Sequence, residues 1–338
     1  EIVTKRAHLF PVKDALLYIP ATPLGGGGTG SQGHNMWSAK NPVYGATFSL
    51  HLNAVETSLK SKRQKNEKEL EKEGGDVLYP SFDEIRAEDA EGKAALIWQI
   101  YDASGNEIRR MKSSPKKGIQ RQVWDLRTNS TDPIGSRGSG FLVTPGNFAV
   151  SVSYVKDGSV EALIVKEPFI VKGLNNQTLL AENPEELKAF RAEMAELNRK
   201  VSGTEKVMGE TKESIALIEK ALLNYPNTDL SMLKSIRDMK MSYKDLEVSM
   251  WGDKVRTSRD FETVPSISER LGMVGYQLYQ NTTGVTNTHR ENKRIAEKQY
   301  LKLKEELNKV IKRLSVVEDK LDGIIPYTRN KGVDWKRD

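Results

Sequence analysis

The chain has 338 residues, enough for two domains of ordinary size, with 37% hydrophobic and 29% charged residues. Its net charge of +6 comes from 52 basic and 46 acidic residues, interleaved as in Glu67-Lys68-Glu69-Leu70-Glu71-Lys72 rather than gathered into a patch, which argues against nucleic acid as a partner. The absence of cysteine excludes disulfides, thiolate catalysis and Cys-based metal sites, and no run of about 18 apolar residues exists to cross a membrane. The first residues, Glu1-Ile2-Val3-Thr4-Lys5-Arg6, contain neither a start methionine nor a signal peptide. The chain is therefore expected to begin inside a larger polypeptide.

Residues 1–40 are expected to hold a short strand near Ala15 to Ile19 and then a glycine-rich linker or docking segment. Residues 41–175 carry strand periodicity. Ala46, Phe48, Leu50 and Leu52 alternate onto one face, Ala95 to Tyr101 is strongly apolar, and Phe148, Val150, Val152 and Tyr154 share a face. Asp102 to Asn106 and Lys156-Asp157-Gly158 are turn sequences. A charged helical insertion interrupts this region over 56–90. Gly74-Gly75 stops its first helix, and Ser81 as N-cap with Glu84 at N3 starts a second. Seven or so short strands predict a β-sandwich.

From Asn183-Pro184 the period becomes helical, with Asn at N-cap and Pro at N1. Leu187, Phe190, Met194, Leu197, Val201, Met208, Ile215, Ile218 and Leu222 form one seam, and Gly203 and Gly209 weaken its middle. Further helices are expected from about Asp229 to Trp251, from Pro265, and from His289 to Leu321. The expected fold is thus multidomain, all-β plus all-α: an immunoglobulin-like sandwich, then an antiparallel four-helix bundle over 183–322, then an extended tail over 323–338.

Sites of chemistry are harder to find. Gly28, Gly30 and Gly33 match G-x-G-x-x-G, but Pro42 and the lack of a helical period deny the motif the helix N-terminus it needs. His8, His34, His51 and His289 show no i,i+3 or i,i+4 pairing for a metal, and His289 sits where it could cap a helix. Asp102 and Asp125 read as turn and corner residues, and Trp98 and Trp124 as core. No cofactor, metal ligand or catalytic residue is assigned.

Ile100 to Ile108, Val123-Trp-Asp-Leu126 and Pro145-Gly-Asn-Phe-Ala-Val150 resemble the immunoglobulin-like repeat of flagellar-hook-capping and other secreted bacterial proteins. More broadly, Leu9-Phe-Pro-Val-Lys-Asp-Ala15, Asn41 to Ala46, Tyr79 to Arg86, Gly118 to Leu126, Val143 to Gly146, Gly252-Asp253, Pro265-Ser-Ile267 and Arg270 resemble the C-terminal region of bacterial sortilin-like β-propeller proteins. These are often labelled glycosyl hydrolases with BNR repeats. The resemblance implies propellers upstream, an extracytoplasmic setting (periplasm, outer surface or secreted), and a non-catalytic structural or protein-interaction role. It carries no catalytic residue into this chain. The alternative is an accessory part of a glycan or peptide hydrolase whose catalytic site lies in the propeller. The expected partner is the β-propeller region of the same or a companion polypeptide, with cell-envelope proteins as further candidates. Apolar residues in proline- or glycine-rich segments make Leu9, Phe10, Val12 and Trp37 the expected contacts.

Overall fold

A computed structural model describes residues 4–20, 42–133, 138–174, 182–279 and 281–322. The chain divides into two compact units. One comprises Glu1–Asn129 with Leu142–Thr178, the other Ser130–Phe141 with Leu179–Asp338.

The first unit is rich in strands. Its three-stranded sheet has the order β1 (Ala7–Leu9), β3 (Ala46–Leu52), β6 (Gly118–Trp124), all antiparallel. Its five-stranded sheet has the order β2 (Ala15–Leu17), β8 (Ser159–Gly173), β7 (Gly146–Lys156), β4 (Ala95–Tyr101), β5 (Glu107–Ser113). Both sheets feed one core. Alternation buries Ala46, Phe48, Leu50 and Leu52 from β3, and Phe148, Val150, Val152 and Tyr154 from β7. Phe148, Val150, Trp98, Ile100 and Trp124 are buried in the same cluster, as the sequence predicts. Phe48 stacks on Trp98 at 5.9 Å between centroids, and Trp124 meets Phe148 edge-on at 5.4 Å. Each buried indole keeps a partner: Trp98 Nε1 donates to Ser113 Oγ at 2.9 Å, and Trp124 Nε1 to the Arg127 carbonyl at 2.8 Å.

The second unit holds α3 (Pro184–Asn224), α4 (Met232–Trp251), α5 (Lys254–Thr257), α6 (Ile267–Tyr279) and α7 (Asn287–Asp322). Asn183 caps α3 through its side chain, with Pro184 in the first turn, and the helix runs unbroken through Gly203 and Gly209. The predicted seam of α3 is buried, as are Leu303, Leu307, Val310, Leu314, Val317 and Leu321 of α7. Two reciprocal caps start the later helices, one not read from the sequence, at α6, and one at the position expected of His289. Ser266 and Glu269 close a reciprocal box at the start of α6. At α7, Thr286 Oγ1 accepts from His289 N while His289 Nδ1 accepts from Thr286 N, both at 3.2 Å. Buried Arg191 donates to the Leu278 and Asn281 carbonyls, placing a cation at the C-terminal end of α6.

The expectation of an all-β sandwich followed by an all-α four-helix bundle is overturned. The protein is mixed α/β, with seven helices making it 48% helical among the described residues, and its five-stranded sheet curls into a half-barrel. Three local causes account for the difference. Register shifts between β7 and β8 at Val150/Val152 and Val152/Ser153, with Lys166 at φ +46°, add the twist that curls the sheet. β2 pairs in parallel with β8 at the sheet edge, which the antiparallel sandwich did not foresee. Gly252 at φ +88° ends α4, and Asp253 then accepts from Val255 N and Arg256 N to start the extra helix α5. Strand period reports which side chains share a face and is silent on pairing partners. Among the described residues no helix is long and apolar enough to cross a membrane.

Candidate functional site

The predicted contact residues divide three ways. Leu9 ends β1 with its side chain in the core of the β-rich unit, only 7% exposed. Phe10 and Val12 are half-buried, Phe10 edge-on to His8 at 5.1 Å and Val12 packed against the same core. The sequence predicts an exposed stretch because apolar residues in proline- or glycine-rich segments need a partner to be buried. Instead β1 and β2 pair with β3 and β8, drawing the apolar side chains inward. The described part of 1–40 contributes β1 and β2 to the two sheets. Trp37 and the rest of the glycine-rich segment lie outside the described residues, as does the 323–338 tail.

Asp102 and Asp125 hold structural posts. Asp102 Oδ1 accepts from Ser104 N at 3.0 Å and Asn106 N at 2.9 Å, and Gly105 at φ +82° completes the turn. Asp125 accepts from Arg127 N at 3.2 Å beside Leu126, itself at φ +57°. Among the described residues no cluster of three or more His, Asp or Glu side chains is arranged to hold a metal.

A cluster of exposed large apolar side chains in the β-rich unit lies elsewhere, on its helical excursion. α1 (Leu59–Lys72) and α2 (Phe82–Ala90) bury no residue. Between and beside them Leu78, Tyr79 and Phe82 stand 82, 82 and 75% exposed, flanked by Leu70 and Val77 at 46 and 47%. A hollow of about 480 Å³ opens there, lined by Val77, Leu78, Tyr79, Pro80 and Ile85 with charged residues around them.

Polar contacts hold this excursion in place. Ser58 caps α1, Gly74 at φ +75° follows its end, and the Ser81–Glu84 capping box starts α2. Arg63 of α1 donates to Glu88 of α2 at 2.6 and 3.0 Å, and to Glu67 at 2.5 Å. These hydrogen bonds hold the Arg63 pKa above, and the Glu88 pKa below, their ordinary values. Glu91 ties the pair to the sheet. Its carboxylate accepts from Leu59 N at 2.8 Å and meets Lys156 Nζ of β7 at 2.9 Å, and Lys156 also reaches Glu56 at 3.4 Å. The Lys156 hydrogen bond, then that of the Leu59 amide, lowers the Glu91 pKa.

The arrangement presents large apolar side chains on a fixed frame. The Ser81 hydroxyl donates to the Glu84 carboxylate at 2.8 Å as part of the helix cap, and the exposed apolar side chains are what the site offers to a partner. A sequence signal was available: Val77-Leu78-Tyr79 and Phe82 surround a Pro-Ser cap in a segment with neither strand alternation nor a helical stripe. Comparison with protein-family models, curated proteins and solved structures finds no match to this chain.

Proposed function

We propose that this chain is a non-catalytic protein-interaction module and that its partner sits on the α1–α2 excursion. The observation that carries this reading is the exposure of Leu78 and Tyr79, between two helices that bury nothing of their own, and of Phe82 at the start of the second. Tyr and Phe concentrate binding energy when a partner desolvates them, and clustered exposure on this scale marks an interaction surface. The resemblance to sortilin-like proteins supports a β-propeller as that partner and an extracytoplasmic setting for the encounter.

The direct test is affinity of the full chain for a recombinant sortilin-like β-propeller, comparing wild type with Tyr79→Ser/Phe82→Ser. Affinity is expected to fall by roughly 30-fold or more, the loss of two aromatic anchors. Undiminished affinity would remove this surface from the interface. Turnover of a peptide or glycan by the isolated chain would overturn the non-catalytic reading.

A further inference from the structure

A second surface lies in the helical unit and shares no residue with the first. α4, the 264–266 connection and α7 enclose a groove of about 910 Å³. Leu246, Leu303 and Val310 close its floor at 5, 2 and 2% exposure, and the apolar surface it offers is that of Val248 and Val264, 44 and 76% exposed. Four cations, Lys302, Lys309, Lys312 and Arg313, line it against two carboxylates, Asp245 and Glu306.

The pairing of these charges is uneven. Lys309 is neutralised within its own helix by Glu305 at 3.0 Å and Glu306 at 2.9 Å. Lys302, Lys312 and Arg313 have no carboxylate within ion-pair distance among the described residues. Elsewhere on α7 the pattern reverses. Near its start Arg290 pairs with Glu186, Lys293 with Glu193 and Glu297, and Arg294 with Glu291. α7 thus pairs three cations near its start and leaves three open along the α4 groove. Lys302 and Arg313 are eleven residues apart, about 16 Å along the axis, or three helical turns.

We propose that this groove binds an acidic amphipathic helical segment of a partner protein. Apolar side chains of that segment would cover Val248 and Val264, and its carboxylates would reach Lys302, Lys312 and Arg313. Two exposed valines beside Asp245 and Glu306 favour a helix over a membrane surface, which would need a broad apolar face free of carboxylates. The absence of aromatic side chains from the lining, with Asp245 and Glu306 present, disfavours single-stranded nucleic acid, whose bases stack on rings.

The test uses the full chain and a fluorescent peptide of about four helical turns, Leu on one face and Glu on the other. Saturable binding is expected, weakening as salt rises. Lys302→Glu/Lys312→Glu/Arg313→Glu should weaken it by roughly tenfold or more. All three side chains are exposed, so the variant is expected to keep the wild-type helical signal. Lys302→Gln/Lys312→Gln/Arg313→Gln should give a smaller loss in the same direction. Tyr79→Ser/Phe82→Ser should bind the peptide as wild type does, which separates this site from the one on the other unit. Equal affinity in the Glu variant would overturn the proposal. So would equal affinity for a peptide with Leu replaced by Gln, since charge alone would then suffice. Binding of phosphatidylserine vesicles or oligothymidylate that the peptide does not compete would also overturn it.

Discussion

α1 and α7 are both dense in charge, yet they stand in opposite relation to the protein. In α7 Leu303, Leu307, Val310, Leu314, Val317 and Leu321 fall in a four–three rhythm and every one is buried. In α1 the apolar residues are Leu59 and Leu70, eleven positions apart, and the helix buries nothing. Charge content does not distinguish a bundle helix from a surface one. The spacing of the few apolar residues between the charges does. A helix of 14 residues without an apolar stripe is marginal by itself, so α1 depends on Ser58, Arg63 and the Glu91–Lys156 pair. Its surface is left free for contact.

The sharpest way to break this comparison is Leu314→Asp. It would place an unpaired carboxylate in the α7 seam at a cost of about 5 kcal/mol or more, and the helical unit should unfold. Circular dichroism should lose most of its 222 nm signal while the near-ultraviolet bands of Trp98 and Trp124 persist. A retained helical signal would place Leu314 outside the core.

Trp124→Ala gives the counterpart in the β-rich unit. It removes a ring that contacts Phe148 and Phe169, at about 3–5 kcal/mol. Urea unfolding followed by Trp98 fluorescence should show this shift, and a change below about 1 kcal/mol would contradict the packing.

His289 sharpens the contrast through pH. Burial, and then the Arg290 charge, lower its pKa below the ordinary imidazole value. Nδ1 accepts from Thr286 N, so the neutral ring carries its proton on Nε2, which lies 2.6 Å from Gln277 Oε1. The unfolded chain protonates near pH 6.5 and the folded one at a lower pH. The helical unit should therefore lose stability as pH falls from about 6.5 toward the folded value, with no contribution from this residue to a slope above it. Urea midpoints at pH 7.5 and 5.5 would read the change. His289→Gln should flatten it, and His289→Ala should cost about 1 kcal/mol at pH 7.5 by removing half of the cap.

The smallest effects belong to the excursion. Ser81→Ala should fray α2 by about 1 kcal/mol locally, seen as faster amide exchange over 82–90 with an unchanged global midpoint. Tyr79→Ser should shift the global midpoint by less than about 0.5 kcal/mol, since the ring is 82% exposed. A larger loss would mean that Tyr79 supports the fold and is not held out for a partner.

Much of the secondary structure was legible because two periods run over long windows. The seams of α3 and α7, the faces of β3 and β7, the Asn183 cap and the Ser81–Glu84 box are all local patterns, set by spacing along the chain. Pairing and exposure were decided by the tertiary structure. Nothing in Leu9-Phe10-Pro11-Val12 reveals that β1 joins β3 and β2 joins β8, so an apolar stretch that read as a contact surface became partly core. Nothing in the charge content of α7 reveals that Lys293 finds Glu193 while Lys302, Lys312 and Arg313 line an open groove. Sequence spacing determines which side chains share a face. The partner that each face meets depends on contacts between residues far apart in the chain, and those form only when the chain closes on itself.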